Sequence, residues 1–250
     1  MRKYLAATDV LQRYLSCRGR TVIDVGCGNG DTVRWLARQG AHVIGLDHRE
    51  MLEKARQDQA GGTEEYVEGG AQKLPFVNES ADIVLYQASF HHVPAAAMND
   101  AASECQRVLK NGGQAVFIEP VARAGAYSEL TSLTDDESEA RKKAYAAINA
   151  LAESELVMAK EEFFFLERSF ADYVRLLECL VADELRRETI LAQARKITEQ
   201  FSAAAGLGFD EFRYRSICRL NILLKRRSAK AQSLPKRCNE KIPSPGDSQR

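Results

Sequence analysis

The sequence predicts an α/β fold built on a mostly parallel sheet, and two patterns predict it. From Arg20 to Pro120 short apolar, β-branched runs alternate with stretches of helical periodicity, as they do in chains of βα units. One such run, Val22-Ile23-Asp24-Val25, passes straight into Gly26-Cys27-Gly28-Asn29-Gly30-Asp31, so that a strand, a glycine-rich turn and a helix start follow one another. Strands are expected at Thr21 to Val25, His42 to Leu46, Ala81 to Tyr86 and Gln114 to Glu119, with a weaker one near Tyr66 and Val67. Helices are expected at Asp31 to Arg38, Glu50 to Gln57 and Ala97 to Leu109. The last of these should stop at Lys110-Asn111-Gly112-Gly113, a basic last turn followed by glycines that accept positive φ.

Beyond Val121 the pattern changes to a mainly helical stretch ending near Ala205. Thr134 and Glu137 read as a capping box before the stripe Ala140, Ala144, Ile148 and Leu151. Ser169 and Asp172 repeat the start signal before Val174, Leu177 and Val181, and a third stripe runs through Ile190, Ala194, Ile197 and Phe201. After Gly206 and Gly208, Phe209 to Ser216 and Ile217 to Lys225 read as the two strands of a closing hairpin. The chain then divides into a core (1–120), a helical insertion (121–205), the hairpin (206–227) and a tail (228–250). The tail is too polar to offset its ordering entropy by burial and is expected to be disordered.

Composition excludes several classes of function. Lys+Arg and Asp+Glu balance at 35 each, so no overall positive field gathers nucleic acid or anionic lipid. No apolar run reaches the roughly 20 residues of a membrane span, and Met1 to Leu15 lacks the apolar stretch of a signal peptide. A cytoplasmic location is expected. The six cysteines (Cys17, Cys27, Cys105, Cys179, Cys218, Cys238) form no Cys-x-x-Cys pair, which argues for reduced thiols and against a zinc site or disulfide framework.

Glycines at alternate positions 26, 28 and 30 let the backbone turn sharply and approach a ligand where a Cβ would collide. Such turns also occur for structural reasons alone, but Asp47 ends the second strand 17 residues after Gly30, where a carboxylate can accept from both hydroxyls of a ribose. Together they point to a nucleoside-containing ligand. A dinucleotide site needs Gly-x-Gly-x-x-Gly with a pyrophosphate on the helix N-terminus. Here the third glycine comes one residue early and Asp31 would repel a pyrophosphate, which disfavours NAD.

Asp24-Val-Gly-Cys-Gly-Asn-Gly30 resembles the first motif of class I S-adenosyl-methionine (SAM) dependent methyltransferases, in the group of the ubiquinone/menaquinone C-methyltransferases. The resemblance continues through Gly69-Gly-Ala-Gln-Lys-Leu-Pro-Phe76, Ala81-Asp-Ile-Val-Leu-Tyr-Gln-Ala-Ser-Phe-His-His-Val93 and Arg107-Val-Leu-Lys-Asn-Gly-Gly-Gln114. It implies a Rossmann-like sheet with an antiparallel last strand and helices on both faces; the helical insertion leaves the end of the fifth strand, over the mouth where such sheets bind ligands, and is the candidate lid for the acceptor. It implies that Gly26, Cys27, Gly28 and Gly30 surround the methionyl and ribose parts of SAM, that Asp24 holds the methionyl amine and that Asp47 clasps the ribose. Ala71 and Gln72 would lie beside the adenine and Gln87 would line the pocket. The family usually carries Asp where this chain has Gly70, so adenine must be read by backbone or by Gln72.

The tandem His91-His92 is a candidate acid or base because histidine titrates near neutral pH, although such a pair also simply shapes pockets. Neighbouring histidines on an extended segment point to opposite sides, so no metal site is expected there. Glu119 ends the fifth strand beside the same mouth and reads as a solvated helix-capping carboxylate, with catalysis as the alternative. Phe163-Phe164-Phe165 reads as core, with an acceptor wall as the alternative, and Lys225-Arg226-Arg227 as a solvated basic end. The function expected is methyl transfer from SAM to a small molecule, with no nucleic-acid partner. A non-catalytic SAM-binding scaffold or regulator is the alternative from another class.

Overall fold

Strands covered on both faces carry apolar residues at successive positions, and in the computed structural model of the chain the central strands are of this kind. The structure describes residues 2–4, 6–57, 63–122, 131–132, 135–170, 188, 190, 192–193, 196, 199, 206–207 and 212–227. In chain order these form β1 (Arg2–Tyr4), α1 (Ala7–Tyr14), β2 (Thr21–Val25), α2 (Asp31–Arg38), β3 (His42–Asp47), α3 (Arg49–Gln57), β4 (Glu65–Glu68) and β5 (Ala81–Gln87). There follow α4 (Met98–Val108), β6 (Leu109–Pro120), α5 (Ser138–Ala152), β7 (Leu156–Phe170), β8 (Gly206–Leu207) and β9 (Phe212–Lys225). One sheet takes them in the order β1-β7-β9-β6-β5-β2-β3-β4, with β8 beside β9. The pairs β2–β3, β2–β5, β3–β4 and β5–β6 are parallel, and β9 is antiparallel to both β6 and β7.

Two cores lie on the two faces of this sheet, divided by the alternation of side chains along each strand. Val22, Val43, Ile83, Leu85, Val116 and Ile118 pack with Val10 and Leu11 of α1, Val33 and Leu36 of α2 and Leu52 of α3. Ile23, Val84, Tyr86, Ala115 and Phe117 face the other way, onto Ala101, Cys105 and Val108 of α4 and Ala144, Ile148 and Leu151 of α5. The expected stripe of α5 is thus its buried face. The four described cysteines, Cys17, Cys27, Cys105 and Cys218, are buried thiols. Among the described residues no helix is long and apolar enough to cross a membrane.

Three expectations are corrected. Leu156–Phe170 is a strand of 15 residues where helix was expected. A bulge between Met158 and Lys160 explains the missing signal, because it shifts the buried register by one residue: Leu156 and Met158 join one core, Phe164 and Leu166 the other. The break expected between Ser216 and Ile217 is absent: both lie within the single strand β9, which pairs antiparallel with the short β8 and along its length with β7. Glu137 makes no cap at the start of α5, where the Ser138 N–H donates to Asp136 instead, at 3.1 Å. Thr134, Asp172, Val174, Leu177, Val181, Ala194, Ile197 and Phe201 lie outside the described residues, as do Gly208 to Glu211 and the tail from Ser228. Ile190 is helical and buried.

Lys225 also departs from the solvated basic end that was expected. It is 8% exposed, and its ammonium donates to the carbonyls of Gln106 and Leu109, each at 2.8 Å, where α4 ends. The cation therefore satisfies orphan carbonyls and meets the negative end of the helix dipole. Lys225→Met is expected to lower unfolding free energy in urea by about 1–3 kcal/mol, the cost of leaving buried acceptors unpaired. An unchanged denaturation midpoint would show that those carbonyls reach water.

Candidate functional site

The carboxyl ends of β2, β3 and β5 carry the residues that the glycine pattern singled out. After β2 the chain turns through Gly26, Gly28 and Gly30, all at positive φ (74°, 57° and 82°). Their roles differ. A Cβ on Gly26 would lie 2.5 Å from Ser89 Cβ, and one on Gly30 would lie 2.5 Å from Tyr66 Oη, so these two allow the loop to pack closely on its own protein. A Cβ on Gly28 would meet only Met51 Cε, at 3.8 Å, which leaves its outer side open to a ligand. Cys27 turns inward. Its thiol is 7% exposed and packs with Val33 in the core behind the loop, so any contact of this residue with a ligand is through its backbone.

Asp47, the last residue of β3, holds the loop from below. One oxygen accepts from the Gly28 N–H at 2.8 Å, the other from the N–H and ring of His48 at 2.8 and 2.6 Å. Asp24 is 1% exposed at the end of β2, and its Oδ1 has no hydrogen-bond partner. Burial, with the charge of Asp47 nearby, pushes its carboxyl up to about 7. An unpaired buried carboxylate oxygen costs free energy, which a cationic ligand group would recover. Asp31 occupies the start of α2 and pairs with Arg34 at 2.6 Å. The helix start that a pyrophosphate would need is thus already taken by a carboxylate paired with Arg34.

A cleft of about 230 Å³ runs beside this loop, lined by Gly26, Asp47, His48, Gly70, Ala71, Gln72, Tyr86, Ser89 and His92 among others. Gln72 folds over Gly70, where a Cβ would come within 2.9 Å of its amide oxygen, so Gln72 takes the room of the aspartate that the family pattern puts at position 70. Gln87 is not part of the described lining; its side chain accepts from the Thr32 hydroxyl at 3.1 Å under the loop. Ser89 was missed by the sequence reading. It follows Ala88, a non-glycine residue at φ 51°, and its hydroxyl donates to the Val25 carbonyl at 2.6 Å. This sharp turn after β5 locks against Gly26, and only the pairing of β2 with β5 brings the two together.

His91 and His92 lie on a 3₁₀ turn (Phe90–His92), not on an extended segment, and their rings sit side by side with centroids 4.1 Å apart. The premise on which a metal site was discounted therefore fails. His91 is 4% exposed and bonds through Nδ1 to Glu119, whose other oxygen accepts from the Ser89 and Phe90 N–H groups at 3.2 and 2.9 Å. Glu119 is therefore not the solvated helix cap that was expected: it is 2% exposed and ties down the turn. Glu137, just before α5, faces both rings: its oxygens lie 3.6 Å from His91 Nε2 and 3.5 Å from His92 Nδ1, and Arg141 binds it at 2.6 Å. Burial opposes charge on His91, but Glu119 and Glu137 outweigh it and raise the imidazole to about 9. The His91 bond, against the penalty of burial, lowers Glu137 to about 2. Burial and the charge of His91 keep His92 below its ordinary value.

A second cleft, of about 390 Å³, opens on the far side of His92 under the start of α5, with Pro94, Met98, Asp135, Glu137, Ala140 and Lys143 in its walls. His92, Val93 and Pro94 border both clefts. Of the phenylalanine run, Phe164 is core, 1% exposed and edge-on to Tyr4, whereas Phe163 is 39% exposed.

Residues 23–117 match the family model described as a methyltransferase domain. A ubiquinone biosynthesis O-methyltransferase of Aliivibrio fischeri is 36% identical over 112 residues, covering 43% of this chain and 47% of that relative. A demethylmenaquinone methyltransferase of Thermotoga maritima is 33% identical over 113 residues, covering 44% and 48%. The chain thus spans less than half the length of these relatives. A crystal structure described as a putative methyltransferase from Bacillus halodurans superposes with a TM-score of 0.61 at 21% identity, over 88% of this chain and 98% of that one. The likeness to methyltransferases thus rests on the domain at residues 23–117, and the likeness to the Bacillus halodurans structure shows the fold.

Proposed function

We propose that the chain is a SAM-dependent methyltransferase acting on a small-molecule acceptor. The observation that carries this reading is the glycine loop held open over Asp47, with the unpaired carboxylate of Asp24 buried beside it. These residues fit the cofactor: Asp47 offers acceptors for ribose hydroxyls, Asp24 a counter-charge for the methionyl amine, and Gln72 an amide beside the adenine. When bound, SAM supplies a methyl group made electrophilic by its sulfonium. The chain's own task is then to orient the two reactants in line and keep water out. His92, Val93 and Pro94 stand between the nucleoside cleft and the second cleft, which is the proposed acceptor site with α5 as its lid. His91 is held between two carboxylates and keeps the turn in place; His92 lines both clefts. The small-molecule reading of the acceptor is supported by the functions named for the two relatives.

The pH dependence of cofactor binding follows from Asp24. Its carboxyl is raised to about 7 in the free protein, and a paired ammonium would favour the ionised form, so binding expels a proton below that pH. Affinity for SAM is expected to rise as pH increases toward about 7, approaching tenfold per unit well below it. It should fall again as the ligand amine deprotonates, near pH 8 for an α-amino group. Calorimetry across this range should show the rise, and Asp24→Asn should flatten it. A wild-type rise that persists in Asp24→Asn would assign the proton elsewhere.

The activity itself is tested by incubating the chain and methyl-labelled SAM with small-molecule extracts and following the label by mass spectrometry. A labelled product that depends on the chain is the expected result. Tight SAM binding with no labelled species in any extract would favour a regulatory or scaffold role.

A further inference from the structure

We propose that His91, His92 and Glu137 form a binding site for a divalent transition-metal cation of the zinc type, in the wall of the second cleft. One ligand-type atom from each of the three lies within 4.8 Å of the others. His91 Nε2 lies 3.6 Å from Glu137 Oε2, and His92 Nδ1 lies 3.5 Å from Glu137 Oε1. Each is a few tenths of an ångström above the ~3.3 Å between neighbouring ligands of a tetrahedral ion with bonds of about 2.0–2.1 Å, so an ion would draw the carboxylate and the two rings slightly together. The 3₁₀ turn is what makes this possible, since it sets the two rings side by side.

The surroundings of the three residues are those of a metal centre. Glu119 binds His91 Nδ1 and is itself anchored by two backbone N–H groups, which fixes the ring and directs Nε2 at Glu137. A carboxylate behind a ligating histidine orients it and raises its basicity. Arg141 steadies Glu137 through Oε2 at 2.6 Å, and Asp135 and Asp136 add two more carboxylates to the cleft wall.

Two histidines and one carboxylate leave a fourth position, as in catalytic rather than structural zinc sites. That position opens toward the cleft of about 390 Å³, where it would take water or an oxygen donor of a ligand. The site stands apart from the methyl-transfer reading, because it needs neither SAM nor turnover to be seen.

The test is a Co²⁺ titration of the tag-free, chelator-stripped chain, followed by the visible ligand-field absorption of the ion. One Co²⁺ per chain, displaced by Zn²⁺, is expected. His92 is an exposed side chain, so His92→Ala keeps the fold, as its melting curve should confirm, and loses the signal. Glu119→Gln should weaken binding by about 10–100-fold, a loss that a merely structural glutamate would not cause at an unchanged stoichiometry. No absorption band in the wild type, or a band that survives His92→Ala, would overturn the proposal.

Discussion

Asp47→Ala is expected to weaken SAM and S-adenosyl-homocysteine together by at least about tenfold. A carboxylate accepting from two ribose hydroxyls makes charge-assisted hydrogen bonds of about 1.5–3 kcal/mol each, and loss of even one exceeds the 1.4 kcal/mol of a tenfold change. Both ligands share the ribose, so they should suffer alike. The structure adds a second loss, since Asp47 also holds the Gly28 N–H at 2.8 Å and thereby the open face of the loop. Asp47→Asn keeps one acceptor for that N–H and should therefore fall between wild type and alanine. Because the ribose contact is the same in ground and transition states, the loss should appear in the KM for SAM, with kcat at saturation little changed. A collapsed kcat with binding intact would mean that Asp47 acts on the reaction and not on the nucleoside.

Gly26→Ala should damage the fold and not merely binding. Its Cβ would lie 2.5 Å from Ser89 Cβ and 3.8 Å from Ser89 Cα, and the Ser89 turn cannot retreat because Glu119 holds it by two N–H groups. Overpacking costs about 1–3 kcal/mol, and the left-handed backbone at φ 74° adds roughly 1–2 kcal/mol for a residue with a Cβ. For a domain of this size that is a fall in Tm on the order of 10 °C. Gly28→Val is the counterpart. Its side chain points at open space, so the fold should survive with only the backbone strain while SAM binding is lost. Equal melting points for wild type and Gly26→Ala would contradict the packing described for the loop.

What the sequence made legible was what is written locally. The β2 strand, the three glycines and Asp47 are close together in the chain, and the buried strands carry apolar residues on both faces, so each could be placed from its own neighbourhood. Strand β7 could not, because the bulge after Met158 moves its buried side chains from one face to the other and no single period fits it. Nor could Lys225, whose reason for being buried is the end of a helix more than a hundred residues earlier in the chain. Ser89, Glu119 and Glu137 belong to the same class: their partners are set by the pairing of β5 with β2 and β6 and by the return of the chain at α5. The histidine pair was visible, but its side-by-side geometry depends on a 3₁₀ turn of three residues that the sequence did not announce.

The nucleoside reading of the glycine loop is tested most directly by calorimetric titration of the wild-type chain with SAM, S-adenosyl-homocysteine and NAD. The loop geometry, the unpaired Asp24 and the Asp31 carboxylate at the start of α2 predict that SAM and S-adenosyl-homocysteine each bind once per chain and that NAD gives no heat at the same concentrations. Binding of NAD, or heat from none of the three, would contradict it.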